Sequence, residues 1–324
     1  MEPNPLISIA VPVYNSAKFL NDCLSSLIAQ TYSNLEIVVL NNGSTDTSLQ
    51  IIEEFAKKDK RIKYYTISHV PTEAWSRNNA YLRTTAEWVI PVDSDDTIEP
   101  EYVEKLWKRQ IETGAEWVGA TMTFQDDRGN NLGRIPKSDF DYSLVIDGKD
   151  SVILTLGKWT IGANGALIKR VLLPCIENGD SKPLFNVEYD TRVILYKARK
   201  VAFVDAKYYF GYNPNSVGRK PSFTKVTYVL YSLVGLLPFI QEKYNSSSRE
   251  VKIITETCSS FLIRSFKNYL KHRKMFSKEQ RLEYKSMFYN LYENIHLAYS
   301  GDGIVSRFVK SSVIWLNIIL LKIF

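Results

Sequence analysis

Short apolar runs alternate with helical patterns through the first hundred residues, and this alternation limits what the chain can become. "LISIAVPVYN" (6–15) reads as a strand running into a polar loop. "SAKFLNDCLSSLIAQTY" follows, with Ser16 as a cap and Phe19, Leu20, Cys23, Leu24, Leu27 and Ile28 on one helical face. "LEIVVL" is a second strand, and "NNGSTDTSLQIIEEFAKKD" turns at Gly43 and enters a helix through Ser44 or Asp46. "RIKYYTI", the helical "TEAWSRNNAYLRTT" and the strand "EWVIPV" complete the series. Such a pattern predicts an α/β fold, an open, Rossmann-like, mostly parallel sheet with helices on both faces. Ligands of such sheets collect at the carboxyl ends of the strands, where "VPVYN", "NNGSTD" and "VDSDD" all fall.

The third of those loops is the most demanding. Trp88, Val89, Ile90 and Val92 form a buried-type run that ends on Asp93, Asp95 and Asp96. Carboxylates this close repel one another unless a cation gathers them or solvent screens them. One reading is a solvated turn in which Asp96 or Thr97 caps a helix starting near Glu99; the other is a divalent metal. Oxygen ligands suit Mg²⁺ or Mn²⁺, and His69, His272 and His296 are too scattered to compete. The cysteines, Cys23, Cys175 and Cys258, are odd in number and widely spaced, which favours a reducing compartment over a disulfide framework.

Four segments together resemble glycosyltransferase family 2, the inverting enzymes of GT-A fold: "SIAVPVYN", "VVLNNGSTD", "SRNNAYLRTTAEWVIPVDSDD" and "KARKVAFVDAKYYFGYNPNS". The resemblance covers 6–216 and implies a catalytic domain over 1–220, with a helical region over 221–324. It further implies a nucleotide-sugar donor held by Pro12, Tyr14, Asn15, Asn41, Asn42, Arg77, Asp93 and Asp95, and a metal held by Asp95 or Asp96. A bound cation would stabilise the charge that grows on a departing diphosphate. Uridine is the first expectation for the base. The family usually has an Asp before the Gly-Ser of the second loop, whereas this chain has Asn41 and Asn42, whose amides accept a hydrogen bond without charge assistance. Their plain role is in a turn. The Gly that the family has shortly before Arg77 is also replaced, by "HVPTEAW".

An inverting transfer needs one base on the acceptor hydroxyl. The family's Glu-Asp pair is spelled Glu188, Tyr189, Asp190 here, so spacing favours Glu188 and residue identity favours Asp190. In the acceptor region Trp159 is either a sugar-stacking ring or core, and Asp126 and Asp127 belong to a surface hairpin or turn.

Beyond Ser216 the resemblance fades. An apolar run is broken by Gly235 and Pro238, and Ser246–Ser248 suit a helix connection. From Arg249 onward cations mix with Leu, Ile, Phe, Tyr and Trp, in a chain of net charge +6. That pattern suits an anionic membrane surface rather than nucleic acid. Val313–Leu321 is short of the roughly 20 residues a spanning helix needs; flanking Arg307, Lys310 and Lys322, with Trp315 inside it, suit a helix lying in the interface, or one packing onto the catalytic domain or a second subunit. The first residues lack the pattern of a cleaved secretory signal. The expected protein is therefore a metal-dependent transferase on the cytoplasmic face of the inner membrane. It would use a glycan or lipid-linked oligosaccharide acceptor in bacterial surface polysaccharide synthesis. The alternative is an inactive nucleotide-sugar-binding or scaffolding protein of the same fold. Neither "GxxxxGK" nor a "GxGxxG" after the first strand is present, against P-loop and dinucleotide enzymes.

Overall fold

A computed structural model of the chain describes residues 4–70, 73–126, 128–136, 139–156, 164–173, 187–211, 213, 222–244 and 249–299. The chain divides into two compact units, Met1–Pro214 and Asn215–Phe324. The boundary expected between 220 and 221 falls outside the described residues.

In the first unit, β1 (Ile7–Val13), β2 (Leu35–Asn41), β3 (Ile62–Thr66) and β4 (Trp88–Pro91) are mutually parallel. They are linked by α1 (Ala17–Ile28), α2 (Ser48–Lys58) and α3 (Glu73–Tyr81). Every residue of β2 and β4 is buried, as the continuous apolar runs require of strands covered on both faces. Leu20, Cys23, Leu24 and Leu27 of α1 join the core with Ile7, Ile9, Val11 and Val13 of β1, each burial contributing roughly 1.5–3 kcal/mol relative to exposure. Register pairs Val13 with Asn41 and Ala10 with Pro91, so the loops after β1, β2 and β4 open at one edge of the sheet.

Past β4 the sheet becomes mixed. Its order is β3-β2-β1-β4-β9-β6-β10-β5, with β5 (Thr97–Ile98) last, β9 (Leu167–Lys169) antiparallel to both neighbours and β6 (Trp117–Gln125) parallel to β10 (Val201–Phe210). β7 (Asn131–Ile135) forms a hairpin with β6, and β8 (Val145–Ile146) pairs with β10. The helix after the acidic turn, α4, runs Tyr102–Thr113 and closes on Gly114 at φ 64°, a left-handed position that glycine fills without strain. It begins later than the sequence predicts, because Thr97–Ile98 is a short strand, β5, antiparallel to β10. Thr97 and Asp96 therefore do not cap it. α5 (Gly148–Leu156) and α6 (Val187–Lys197) pack together on the same unit.

In the second unit α7 (Phe223–Lys243) passes through both Gly235 and Pro238. Burial of Leu230, Leu233, Leu236, Leu237 and Ile240 outweighs the local cost of an interior proline, about 3 kcal/mol. α8 (Arg249–His272) and α9 (Lys278–Tyr299) pack against it through an aromatic core, in which the Tyr269 and Tyr284 rings stack 4.0 Å apart. α9 opens with a reciprocal cap: Ser277 N donates to Gln280 Oε1 at 3.0 Å and Gln280 N to Ser277 Oγ at 3.2 Å. Among the described residues no helix is long and apolar enough to cross a membrane. Ser246–Ser248 and the apolar segment at 313–321, with Arg307, Lys310, Trp315 and Lys322, lie outside the described residues.

At the amino ends of the strands, buried Glu36 accepts from Ser8 Oγ (2.5 Å), Thr85 N (2.6 Å), Thr85 Oγ1 (2.9 Å) and Lys63 Nζ (3.0 Å). Burial alone would push this carboxyl up, but the donors outweigh it and hold it at about 2. A depressed carboxyl stabilises the fold above its unfolded value and loses that contribution as pH falls toward its folded one. Glu36→Ala is expected to cost about 2–3 kcal/mol at neutral pH by stranding Ser8 and Thr85 donors. In denaturant melts the gap between wild type and variant should shrink between about pH 4.5 and about 2.

Candidate functional site

Three loops meet at the carboxyl edge of β1, β2 and β4. The first two are stitched together. Asn15, whose φ of 48° an asparagine tolerates, accepts from Thr45 N (2.8 Å) through Oδ1, and its own N donates to Ser44 Oγ (3.1 Å). Asp46 joins two helix starts, accepting from Ala17 N through Oδ2 (3.1 Å) and from Ser48 N through Oδ1 (3.0 Å). Ser16 occupies the cap position of α1 without capping it; its hydroxyl instead pairs with Ser94 Oγ at 2.7 Å, tying the first loop to the acidic one.

Asn41 and Asn42 are both buried. Asn41 Oδ1 accepts from Ser44 N (3.0 Å). The Asn42 carboxamide holds both backbone groups of one residue: Oδ1 accepts from Val70 N (2.7 Å) and Nδ2 donates to Val70 O (3.0 Å). An aspartate could not make the second bond, which gives Asn42 a structural reason that the sequence did not reveal. The segment so held places the His69 ring on Tyr14, with centroids 4.0 Å apart, while His69 Nδ1 lies 3.2 Å from Asn42 O. Tyr14 is 45% exposed, so an aromatic platform faces outward here, whereas Pro12 stays within β1, half-buried.

The three aspartates are treated differently. Asp96 is 1% exposed, with Oδ2 accepting from Tyr208 Oη (2.6 Å) and Oδ1 from Gly211 N (2.8 Å). The same tyrosine oxygen accepts from Asp93 N (3.0 Å). Gly211 fits only as glycine, since a Cβ there would stand 1.9 Å from Asp95 O. Asp93 Oδ2 is held by Arg77 Nη2 (2.7 Å) and by Asn164 Nδ2 (2.5 Å), and Arg77 Nη1 donates to Asn164 Oδ1. Asp95 Oδ2 accepts from Asn213 Nδ2 (2.9 Å), and its side chain remains partly accessible. Burial first, and then the charge of Asp93, push the Asp95 carboxyl up; burial, Asp93 and Asp95 push Asp96 well up. Arg77 pairs with Asp93 and opposes the rise at Asp95, so one guanidinium faces several crowded carboxylates.

Among the described residues no three His, Cys, Asp or Glu side chains form a ready-made metal cage. The donor set nonetheless fits Mg²⁺ or Mn²⁺, which bind through one or two carboxylates completed by water and substrate phosphates. Asp93 and Asp95 both keep part of their side chains accessible, and Asp95 carries a single side-chain bond, from Asn213.

Asp190 lies in the first turns of α6, within electrostatic reach of Arg77 and Tyr81. Burial raises it to about 7, against the opposing pull of Arg77. Glu188 is on the same turn, but its side chain, like Trp159 and Asp127, lies outside the described residues. Asp126 is half-buried and closes its own hairpin by accepting from Arg128 N and Asn130 N. Sequence reading singled out neither Asn164, Tyr208, Gly211 nor Asn213. Tyr208 carried a signal, as an inward position in the alternation Asp205, Ala206, Lys207, Tyr208, because a buried phenol needs a partner.

A family profile described as Glycosyl transferase family 2 matches residues 8–173, just over half the chain. Glycosyltransferase GlyA of Streptococcus pneumoniae is 44% identical over 124 residues, 38% of this chain and 18% of GlyA. The chain spans less than two thirds of the length of the curated relatives it matches. Among solved structures, residues 1–349 of S. aureus TarS, in complex with UDP-GlcNAc, superpose with a TM-score of 0.60 at 20% identity, covering 90% of this chain and 81% of that one. The mannosyltransferase PcManGT from Pyrobaculum calidifontis, in complex with GDP-Man and Mn²⁺, gives 0.53 at 14% identity, covering 93% and 89%. These likenesses show the fold, the GT-A arrangement.

Removing one hydroxyl tests the anchor under the acidic turn. Tyr208→Phe deprives buried Asp96 of a donor and Asp93 N of an acceptor, and should lower unfolding free energy by about 2–4 kcal/mol in denaturant titration. A change near zero would mean that the turn does not depend on this bond.

Proposed function

Because the chain belongs to Glycosyl transferase family 2, we propose that it transfers a sugar from a nucleotide donor to a hydroxyl of a glycan, with inversion at the sugar carbon. The observation that carries this reading is the division of labour in the acidic turn. Both oxygens of buried Asp96 are taken by Tyr208 and Gly211, Asp93 Oδ2 is taken by Arg77 and Asn164, and Asp95 carries only the Asn213 bond, which leaves it the carboxylate best able to meet a ligand.

In this reading Asp95 holds Mn²⁺ or Mg²⁺ together with the donor diphosphate, and Asp96 acts from beneath as the support of the turn. The cation, when bound, neutralises the charge that develops on the departing diphosphate. Arg77 pairs with Asp93 and adds positive potential on the donor side. The nucleoside lies along the first two loops, against the Tyr14 and His69 rings, while Asn41 and Asn42 shape the pocket through the backbone they hold. Uridine is the proposed base, supported by a fold likeness to a protein in complex with UDP-GlcNAc; the likeness to one in complex with GDP-Man makes guanosine the competitor.

Asp190 is the proposed base. An aspartate held near neutrality by burial can take the acceptor proton as the hydroxyl oxygen attacks the sugar carbon from the side opposite the diphosphate. The proposed acceptor is a glycan or lipid-linked glycan of bacterial surface polysaccharide synthesis. The proposed location is peripheral, on the cytoplasmic face of the inner membrane.

Calorimetry of UDP binding with and without Mn²⁺ tests the donor site. Wild type should bind UDP with Mn²⁺, and Asp95→Asn should lose at least about tenfold in that affinity while keeping its fold. Selective binding of GDP would overturn uridine, and no binding of any nucleotide would favour a scaffolding role. Turnover tests the base. Asp190→Asn should retain UDP binding and lose on the order of 10³-fold in kcat, whereas Glu188→Gln should not. Since the working form is ionised, kcat should rise with pH through about 7 and then level off. A profile flat across that range would remove Asp190 from the role.

A further inference from the structure

The corner between α8 and α9 concentrates the charge of the chain. Residues 271–285 carry six lysines and arginines, Lys271, Arg273, Lys274, Lys278, Arg281 and Lys285, against Glu279 and Glu283. That is a net +4 within a chain whose total is +6. Both glutamates are engaged locally, Glu279 Oε2 accepting from Ser277 Oγ (2.8 Å) and Glu283 Oε1 from Tyr231 Oη (2.6 Å).

The same corner exposes apolar side chains. Phe276 turns inward onto Phe223 and Tyr269, and its neighbour Met275 is left 62% exposed. On α9, Tyr284, Phe288 and Leu291 face the aromatic core, which leaves Leu282 (55% exposed) and Tyr289 (42%) on the opposite side, two turns apart. Lys278 and Lys285 lie four residues before and three after Leu282, on that same face. Apolar side chains ringed by cations, with a tyrosine that tolerates both water and hydrocarbon, match the headgroup region of a bilayer. Cations clustered this densely are drawn to negatively charged lipid.

We propose that this face, built on Met275, Leu282 and Tyr289 within the cluster of lysines and arginines, docks the protein onto an anionic membrane surface. The proposal deepens the peripheral location given above and rests on it. It assigns docking to the described second unit, independently of residues 300–324.

Co-sedimentation of the full chain with vesicles tests it. Wild type should bind vesicles of phosphatidylglycerol and phosphatidylcholine in equal parts, bind pure phosphatidylcholine weakly, and be released by high salt. Leu282→Ser with Tyr289→Ser, and separately Lys274→Glu with Lys278→Glu, should each reduce binding to the anionic vesicles by about tenfold or more. UDP affinity in the same variants should stay unchanged, which separates loss of docking from loss of fold. The proposal is overturned if wild type ignores anionic vesicles or if both variants bind them like wild type. It is also overturned if the variants only abolish self-association seen in analytical ultracentrifugation. Vesicle binding without any nucleotide binding would sink the transferase reading and leave the docking face standing.

Discussion

The acidic turn rests on a carboxylate that never reaches solvent. Asp96 is sealed beneath the surface, and its two oxygens take the Tyr208 hydroxyl and the Gly211 amide, so the end of β4 is fastened to the end of β10. Tyr208 closes the knot by accepting from Asp93 N. These bonds cross more than a hundred residues of sequence, and the rest of the site depends on them. With the turn fixed from below, Asp93 can be turned toward Arg77 and Asn164, and Asp95 toward Asn213 and the open edge. A buried ionisable group is costly unless its partners are complete, which explains why Gly211 must approach too closely for any side chain.

Fixing three carboxylates so close together leaves an electrostatic debt that Arg77 only partly meets. Burial and mutual repulsion push Asp95 and Asp96 up from the ordinary carboxylate range. A ligand that brings positive charge to Asp95 would relieve that repulsion, and a metal-bound diphosphate does so while using few protein ligands. Arg77 connects this side of the pocket to the other. It pairs with Asp93 and also opposes the burial that raises Asp190, so the acidic turn and α6 feel one guanidinium.

Local patterns carried the architecture well. The parallel strands β1 to β4, their intervening helices and the clustering of three loops at one edge all follow from apolar periodicity. What eluded local reading was set by distant contacts. Thr97 and Ile98 look like a helix start but pair with β10. Pro238 looks like a helix break, but tertiary burial carries α7 through it. Asn42 looks like an altered base contact, and its amide in fact docks the backbone of Val70. Asn164 sits seventy-one residues from Asp93, in a segment without periodicity, and only the folded chain brings an amide there that donates to the aspartate and accepts from Arg77. The different duties of Asp95 and Asp96 were likewise invisible, since adjacent identical residues differ only in which way the turn faces them.

The central claim is that Asp96 supports the turn while Asp95 meets the metal. Crystals grown with UDP and Mn²⁺, measured for manganese anomalous scattering, test this most directly. The expected result is one anomalous peak within coordination distance of the Asp95 carboxylate and the diphosphate, about 2.0–2.4 Å, with Asp96 still bonded to Tyr208 and Gly211. A peak on Asp96 with those bonds broken, or UDP seated with no manganese beside Asp95, would contradict it.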